Sequence, residues 1–167
     1  MNKIAIIGTG RVGESTAQIL AKEELCRELV LLDRTEGVPQ GIALDIQESA
    51  PLFGFDTRLS GATDPAAMEG AELGIGTAGL ARKPGMSRSD LLDANVAIAT
   101  PIIENILRYA PQAIIIMEAN PVDILTYHAW KLTGWDRRRV FGLSGVLDAA
   151  RMASFIALET GFSVRCV

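Results

Sequence analysis

The sequence predicts an α/β fold in which a doubly wound parallel sheet has the strand order 3-2-1-4-5-6. Three observations carry this prediction. Apolar runs of strand length alternate with helical patterns along the chain. The runs LVLL at 29–32 and AIIIM at 113–117 are continuously apolar, as strands covered on both faces are. The first strand pattern runs into GTGRVG at 8–13, and the second ends in Asp33.

Taken in order, strands are expected near 3–7, 28–33, 56–60, 72–77, 113–118 and 140–142. Helices are expected near 11–24, 38–49, 64–69, 88–109, 121–133 and 145–161. Ser87 can cap the long helix that follows it, with Asp90 as a carboxylate in its first turn. Pro101 inside that helix predicts a kink or a break. Pro121 suits the start of a helix, where a missing N–H costs nothing, and Gly134 and Gly161 suit helix ends. Right-handed crossovers bring 78–88 and 118–121 to the same rim as the 8–13 turn.

The turn has the G-x-G-x-x-G spacing of a dinucleotide-binding Rossmann unit, and Asp33 follows about 20 residues later, where the ribose-binding acid is expected. Gly8 permits a tight turn, Gly10 lets the backbone approach a pyrophosphate, and Gly13 lets the helix pack on the sheet. With Thr9, Arg11 and Val12 between them, these residues form the candidate phosphate cradle at a helix N-terminus. Asp33 repels a 2′-phosphate and so favours NAD over NADP, although Arg34 beside it weakens that exclusion.

At 167 residues the chain suits one core, burying about two-thirds of its unfolded surface. It is 49% hydrophobic with mean hydropathy +0.24, and no apolar stretch approaches the ~20 residues of a membrane span. The chain opens on a strand rather than a secretory leader, and Cys26 and Cys166 make no disulfide framework, so a cytoplasmic protein is expected. A net charge of −4 argues against nucleic acid. Arg137, Arg138 and Arg139 read as a solvated turn, and no metal-ligand spacing stands out.

Chemistry concentrates in three later segments. Residues 77–92, rich in Gly and Pro, form a loop with Arg82, Lys83 and Arg88. It is either a clamp for an anionic substrate or a solvated basic loop. In ANPVD at 119–123, Asn120 is a potential donor at a strand end or a turn-forming residue before Pro. In GVLDAARM at 145–152, Asp148 and Arg151 share one helix face, either as site residues or as a surface ion pair.

In order, GTGRVG, LLD, GLARKPGMSR, ANPVD and GVLDAARM resemble the malate dehydrogenases of the lactate-dehydrogenase-like group, and the likeness covers the whole chain. The resemblance implies NAD as cofactor and a small dicarboxylate, malate or oxaloacetate, as substrate. It assigns Arg82 to the distal carboxylate, where lactate dehydrogenases carry glutamine, and Arg88 to the reacting carbonyl. Asn120 would touch substrate and nicotinamide, and Arg151 would clamp the C1 carboxylate. Asp148 would orient a catalytic histidine. Asn95, Glu118 and Ala119 join the cofactor-binding set. A homodimer or homotetramer built through the helix around 38–50 is also implied.

The chain departs from this pattern in two respects. The catalytic histidine, expected in a GGHGD-like segment beyond Val167, is absent, and the only histidine, His128, lies in the helix after ANPVD. Residues 1–145 therefore read as an NAD-binding domain and 146–167 as the start of a catalytic domain, with this segment inactive alone. In addition, Gly74 and Gly76 alternate on one face of an expected central strand, and Glu118 ends the neighbouring apolar run. Together they predict a cavity holding a carboxyl group. Two further readings follow: an engineered scaffold remodelled around Gly74, Gly76 and Glu118, and a nucleotide-binding module without turnover. Cys166 has no assigned role.

Overall fold

The structure is a computed structural model and describes residues 1–166. Six parallel strands form one sheet in the order β3-β2-β1-β4-β5-β6. They are β1 (Lys3–Ile7), β2 (Glu28–Leu32), β3 (Arg58–Ala62), β4 (Leu73–Gly76), β5 (Ile114–Met117) and β6 (Val140–Gly142). The helices are α1 (Arg11–Lys22), α2 (Val38–Glu48), the short α3 (Ala50–Phe53), α4 (Arg88–Tyr109), α5 (Val122–Thr133) and α6 (Gly145–Thr160).

Alternation along the strands divides the core into two layers. Ala5, Ile7, Val30, Leu32, Ile115 and Met117 face α4 and α5, meeting Ala99, Ile103, Ile106 and Leu125. Ile4, Ile6, Leu29, Leu31, Leu73 and Ile75 face the other way, onto Ala17 and Ala21 of α1 and Ala43 and Ile46 of α2. Ile114 and Ile116 of β5 lie on this second face and are only half-buried. Helix α6 packs even less, and Ala157 is its one buried residue.

Several boundaries differ from expectation. The expected strand 56–60 is displaced by two residues, because 56 and 57 have non-local partners. The Asp56 amide donates to Glu24, and the Thr57 hydroxyl donates to the Cys26 carbonyl. Pairing with β2 then begins at Arg58, opposite Glu28. The segment expected as a helix at 64–69 is a single 3-10 turn, Pro65–Met68, capped by Asp64. Pro101 does not break α4, which runs unbroken for 22 residues, and the proline itself is exposed. The expected solvated arginine turn is only partly that. Arg139 is half-buried, donates to the carbonyls of Pro111 and Ala113, and lies 3.8 Å over the Trp135 ring.

The expected glycine cavity is absent. A methyl group at Gly74 would meet Ile106 Cδ1 at 3.3 Å, and one at Gly76 would meet Met117 Sδ at 3.1 Å. These large side chains already fill the space. Glu118 follows Met117 on the strand and so alternates to the opposite face. The three residues do not form one pocket, which removes the ground for a remodelled scaffold.

Gly61 carries a constraint that the sequence did not reveal. A Cβ there would strike the backbone of Pro39 and Gln40, whereas one at Gly41, three residues into α2, meets open space. Gly61→Ala is expected to cost about 1–3 kcal/mol by overpacking, and Gly41→Ala to gain about 0.5–1 kcal/mol of helix stability. Urea denaturation of the two variants checks both signs.

Candidate functional site

The site is built at the carboxyl ends of β1, β2, β4 and β5. Gly8 leaves β1 with φ +106°, a conformation that favours glycine, and a Cβ there would strike the backbone of Ala78. Its N–H donates to the Leu32 carbonyl at 2.8 Å, and its own carbonyl accepts the Thr77 hydroxyl at 2.6 Å. A Cβ at Gly13 would strike that same carbonyl, so only glycine lets α1 begin this close to the turn. No side chain caps the N-terminus of α1, whose N-cap is the exposed Gly10. Its first-turn amides, with Arg11 and Val12 exposed around them, suit an anion.

Asp33 stands beside this turn at the end of β2. Its Oδ2 accepts the Thr9 N–H at 2.9 Å and the Thr9 hydroxyl at 3.0 Å, and its Oδ1 accepts the Thr35 N–H at 3.2 Å. Burial alone would push the carboxyl up, but these bonds to the charged form outweigh it and hold it below the usual carboxylate range. Asp33 is therefore ionised at neutral pH. It lines a crevice of about 700 Å³ with Gly8, Gly10, Arg34, Thr77 and Gly79, closed on the far side by Ile98, Pro101 and Ile102 of α4. The far wall was not foreseen, because only the fold brings α4 opposite the glycine turn.

A second crevice, of about 730 Å³, adjoins the carboxyl end of β5. Arg82, Arg88, Asn120, Thr126 and Ser144 line it, so the two loop arginines and the strand-end asparagine meet as expected. Arg82 Nε donates to the Met86 carbonyl, which folds the loop back on itself. Ser87 caps α4 by accepting the Asp90 N–H, while Asp90 accepts the Ser87 N–H in return. The cap hydrogen bonds hold the Asp90 carboxyl below its usual range.

Asn95 joins the two crevices. It is 2% exposed, accepts the Leu80 N–H at 2.7 Å, and donates to the carbonyls of Leu80 and Asn120. These hydrogen bonds clamp the loop at Leu80 to the segment just beyond β5 and so shape the site. Ala119 is buried beneath Gly79, where a Cβ on the glycine would lie 3.0 Å from the alanine methyl.

Other expected residues lie apart. Asp148 and Arg151 pair with each other at 3.1 Å on the exposed helix α6 and line neither crevice. Lys83 is exposed and lines neither as well. His128 bonds Thr100 between α5 and α4, as an ordinary helix residue does. Cys26 is buried and Cys166 exposed, and both are free thiols.

Glu118 keeps Oε2 buried without a hydrogen-bond partner among the described residues, and desolvation pushes its carboxyl above the usual range. With the folded pKa raised, the stabilising protonated form is fully present below the unfolded pKa and is lost as pH rises through the folded one. Glu118→Gln is therefore expected to melt higher than the parent at pH 7, with the difference shrinking toward pH 4. Thermal melts across that range check the trend, and a constant difference contradicts it.

Comparison with known proteins agrees with this geometry. The sequence profile of the lactate/malate dehydrogenase NAD-binding domain matches residues 2–142. A malate dehydrogenase of Thioalkalivibrio sulfidiphilus is 66% identical over 164 residues, which are 98% of this chain and 53% of that protein. One of Nitrosococcus oceani is 62% identical over 165 residues, 99% of this chain and 53% of that protein. The 1.55 Å resolution structure of malate dehydrogenase from Salinibacter ruber superimposes with TM-score 0.91 at 42% identity, covering 98% of this chain and 51% of that one. A lactate dehydrogenase of Cryptosporidium parvum, complexed with lactic acid and nicotinamide adenine dinucleotide, gives TM-score 0.91 at 38% identity, covering 98% and 51%. The chain thus spans about half the length of the relatives it matches. The chain belongs to the lactate/malate dehydrogenase family, and its residues 2–142 are the NAD-binding domain.

Proposed function

We propose that this chain is the cofactor-binding half of an L-malate dehydrogenase, which interconverts L-malate and oxaloacetate with NAD. The observation that carries the reading is the meeting of Arg82, Arg88 and Asn120 in one crevice beside the glycine turn and Asp33. Guanidinium groups bind carboxylates bidentately, and two of them beside an amide suit a dianionic keto acid. Arg82 takes the distal carboxylate, Arg88 polarises the carbonyl, and Asn120 donates to the same oxygen. When bound, the cofactor would supply the hydride to this carbonyl as NADH, or accept one from malate as NAD, while the ionised Asp33 and the α1 amides would hold its ribose and pyrophosphate.

In this reading Arg151 and Asp148 serve the reaction once α6 is seated against further chain, Arg151 on the C1 carboxylate and Asp148 on an acid–base histidine. The exposure of Met152 (66%), Phe155 (67%) and Leu158 (76%) on α6 supports giving 146–167 to a second domain, with 1–145 as the first. Exposed Leu44 and Leu52 near α2 and α3 support a homo-oligomer, dimer or tetramer, through that face. No helix among the described residues is long and apolar enough to cross a membrane. The unbridged thiols Cys26 and Cys166 suit a reducing compartment, and we assign the protein to the cytoplasm. For the 167-residue chain by itself, the single histidine, His128, bonds Thr100 and lines neither crevice, which favours nucleotide binding without turnover.

Steady-state kinetics at the full length of the relatives tests the substrate. The parent is expected to prefer oxaloacetate over pyruvate with NADH. Arg82→Gln is expected to lower kcat/KM for oxaloacetate about a hundredfold or more, since a carboxylate is left unpaired. An unchanged preference after that substitution contradicts the assignment of Arg82.

A further inference from the structure

Thr9 occupies a position that the G-x-G-x-x-G spacing leaves open to any residue type, yet it is 5% exposed. Both of its donors converge on one oxygen, with the N–H 2.9 Å and the hydroxyl 3.0 Å from Asp33 Oδ2. The other oxygen, Oδ1, accepts the Thr35 N–H at a longer 3.2 Å. A carboxylate offers about four acceptor positions, so Oδ2 is filled and the open capacity of Asp33 lies on Oδ1. The carboxylate is thereby held in one orientation before any ligand arrives.

Arg34 gives that orientation a consequence. Among the described residues lining the crevice, Asp33 and Arg34 are the only charged ones, and they are adjacent and opposite in sign. A fixed Asp33 repels a phosphate brought to its ribose, whereas a carboxylate free to turn away leaves Arg34 to attract it. The side chain of Thr9 is the part of this arrangement that substitution can remove, because its backbone N–H persists in every variant.

We propose that Thr9 is a positioning residue for cofactor choice: its buried hydroxyl pins Asp33 against the adenosine ribose and so excludes a 2′-phosphate that Arg34 would otherwise accept. The proposal rests on the reading of this crevice as the nucleotide site. Loss of the hydroxyl loosens Asp33 without freeing it, so discrimination changes more than affinity for the unphosphorylated ligand.

Isothermal titration of the 167-residue chain with ADP-ribose and with 2′-phospho-ADP-ribose tests this without any turnover. Thr9→Val removes the hydroxyl at nearly constant volume, and Thr9→Ser keeps the hydroxyl while removing the methyl. The ratio of the two affinities is expected to fall about tenfold in Thr9→Val, equivalent to about 1.4 kcal/mol. It is expected to stay near the parent value in Thr9→Ser, which a packing role for the methyl would not produce. A parent-like ratio in Thr9→Val, or an equal loss in Thr9→Ser, overturns the role of the hydroxyl while leaving the nucleotide site intact. Failure of the parent to bind ADP-ribose overturns the nucleotide reading and the proposal together. Should Thr9→Val not fold, Thr9→Ala removes the same hydroxyl and is judged by the same ratio.

Discussion

The carbonyl of Gly8 is the point on which the rest of the site depends. It accepts the Thr77 hydroxyl from beyond β4, and the Cα of Gly13 in α1 rests against it. The Gly8 N–H meanwhile reaches the end of β2 through the Leu32 carbonyl. One residue therefore ties together β1, β2, β4 and the start of α1. A larger residue at 8 or 13 would drive these elements apart, because the obstacles are backbone atoms that cannot rotate out of the way. The crevice follows from this junction. Asp33 arrives beside the turn because β2 is anchored there, and the 77–80 segment arrives because β4 is.

The same junction sets the division of labour between the two faces of the sheet. The face toward α4 and α5 is well filled, with Ile106 and Met117 occupying the space that Gly74 and Gly76 leave. Small residues on β4 and large ones on its neighbours are thus one packing solution rather than a defect. The opposite face thins out toward β5, where Ile114 and Ile116 are half-buried and Glu118 keeps an unpartnered oxygen. Burying a carboxyl without a donor costs stability, so this corner is the strained one. Apolar α6 is exposed as well. Packing against a further domain would reward both features.

Much of this was legible in the sequence, and the reasons differ from residue to residue. The glycine turn was legible from its local spacing, and strand order followed from the repeated βαβ alternation with right-handed crossovers. Arg82, Arg88 and Asn120 were found by motif and meet in the crevice as expected. Partners distant along the chain were not legible. The start of β3 slipped because Thr57 is claimed by Cys26, 31 residues away. Gly61, just beyond the strand expected at 56–60, carried no signal that the backbone of Pro39 lies against it. Pro101 suggested a kink or a break by its residue type, yet α4 runs on through it. Gly74, Gly76 and Glu118 suggested a cavity because sequence alternation alone does not show what a neighbouring helix or strand inserts, here Ile106 and Met117.

The central claim is that the 8–13 turn, Asp33 and the 77–80 segment form one dinucleotide site. Amide chemical shifts of the isotopically labelled chain, followed during titration with NAD, test it most directly. The account predicts saturable shifts concentrated at Gly8, Gly10, Gly13, Asp33, Thr35 and Leu80, with α2 unaffected. Saturable shifts confined to other surfaces, or none at all, would contradict it.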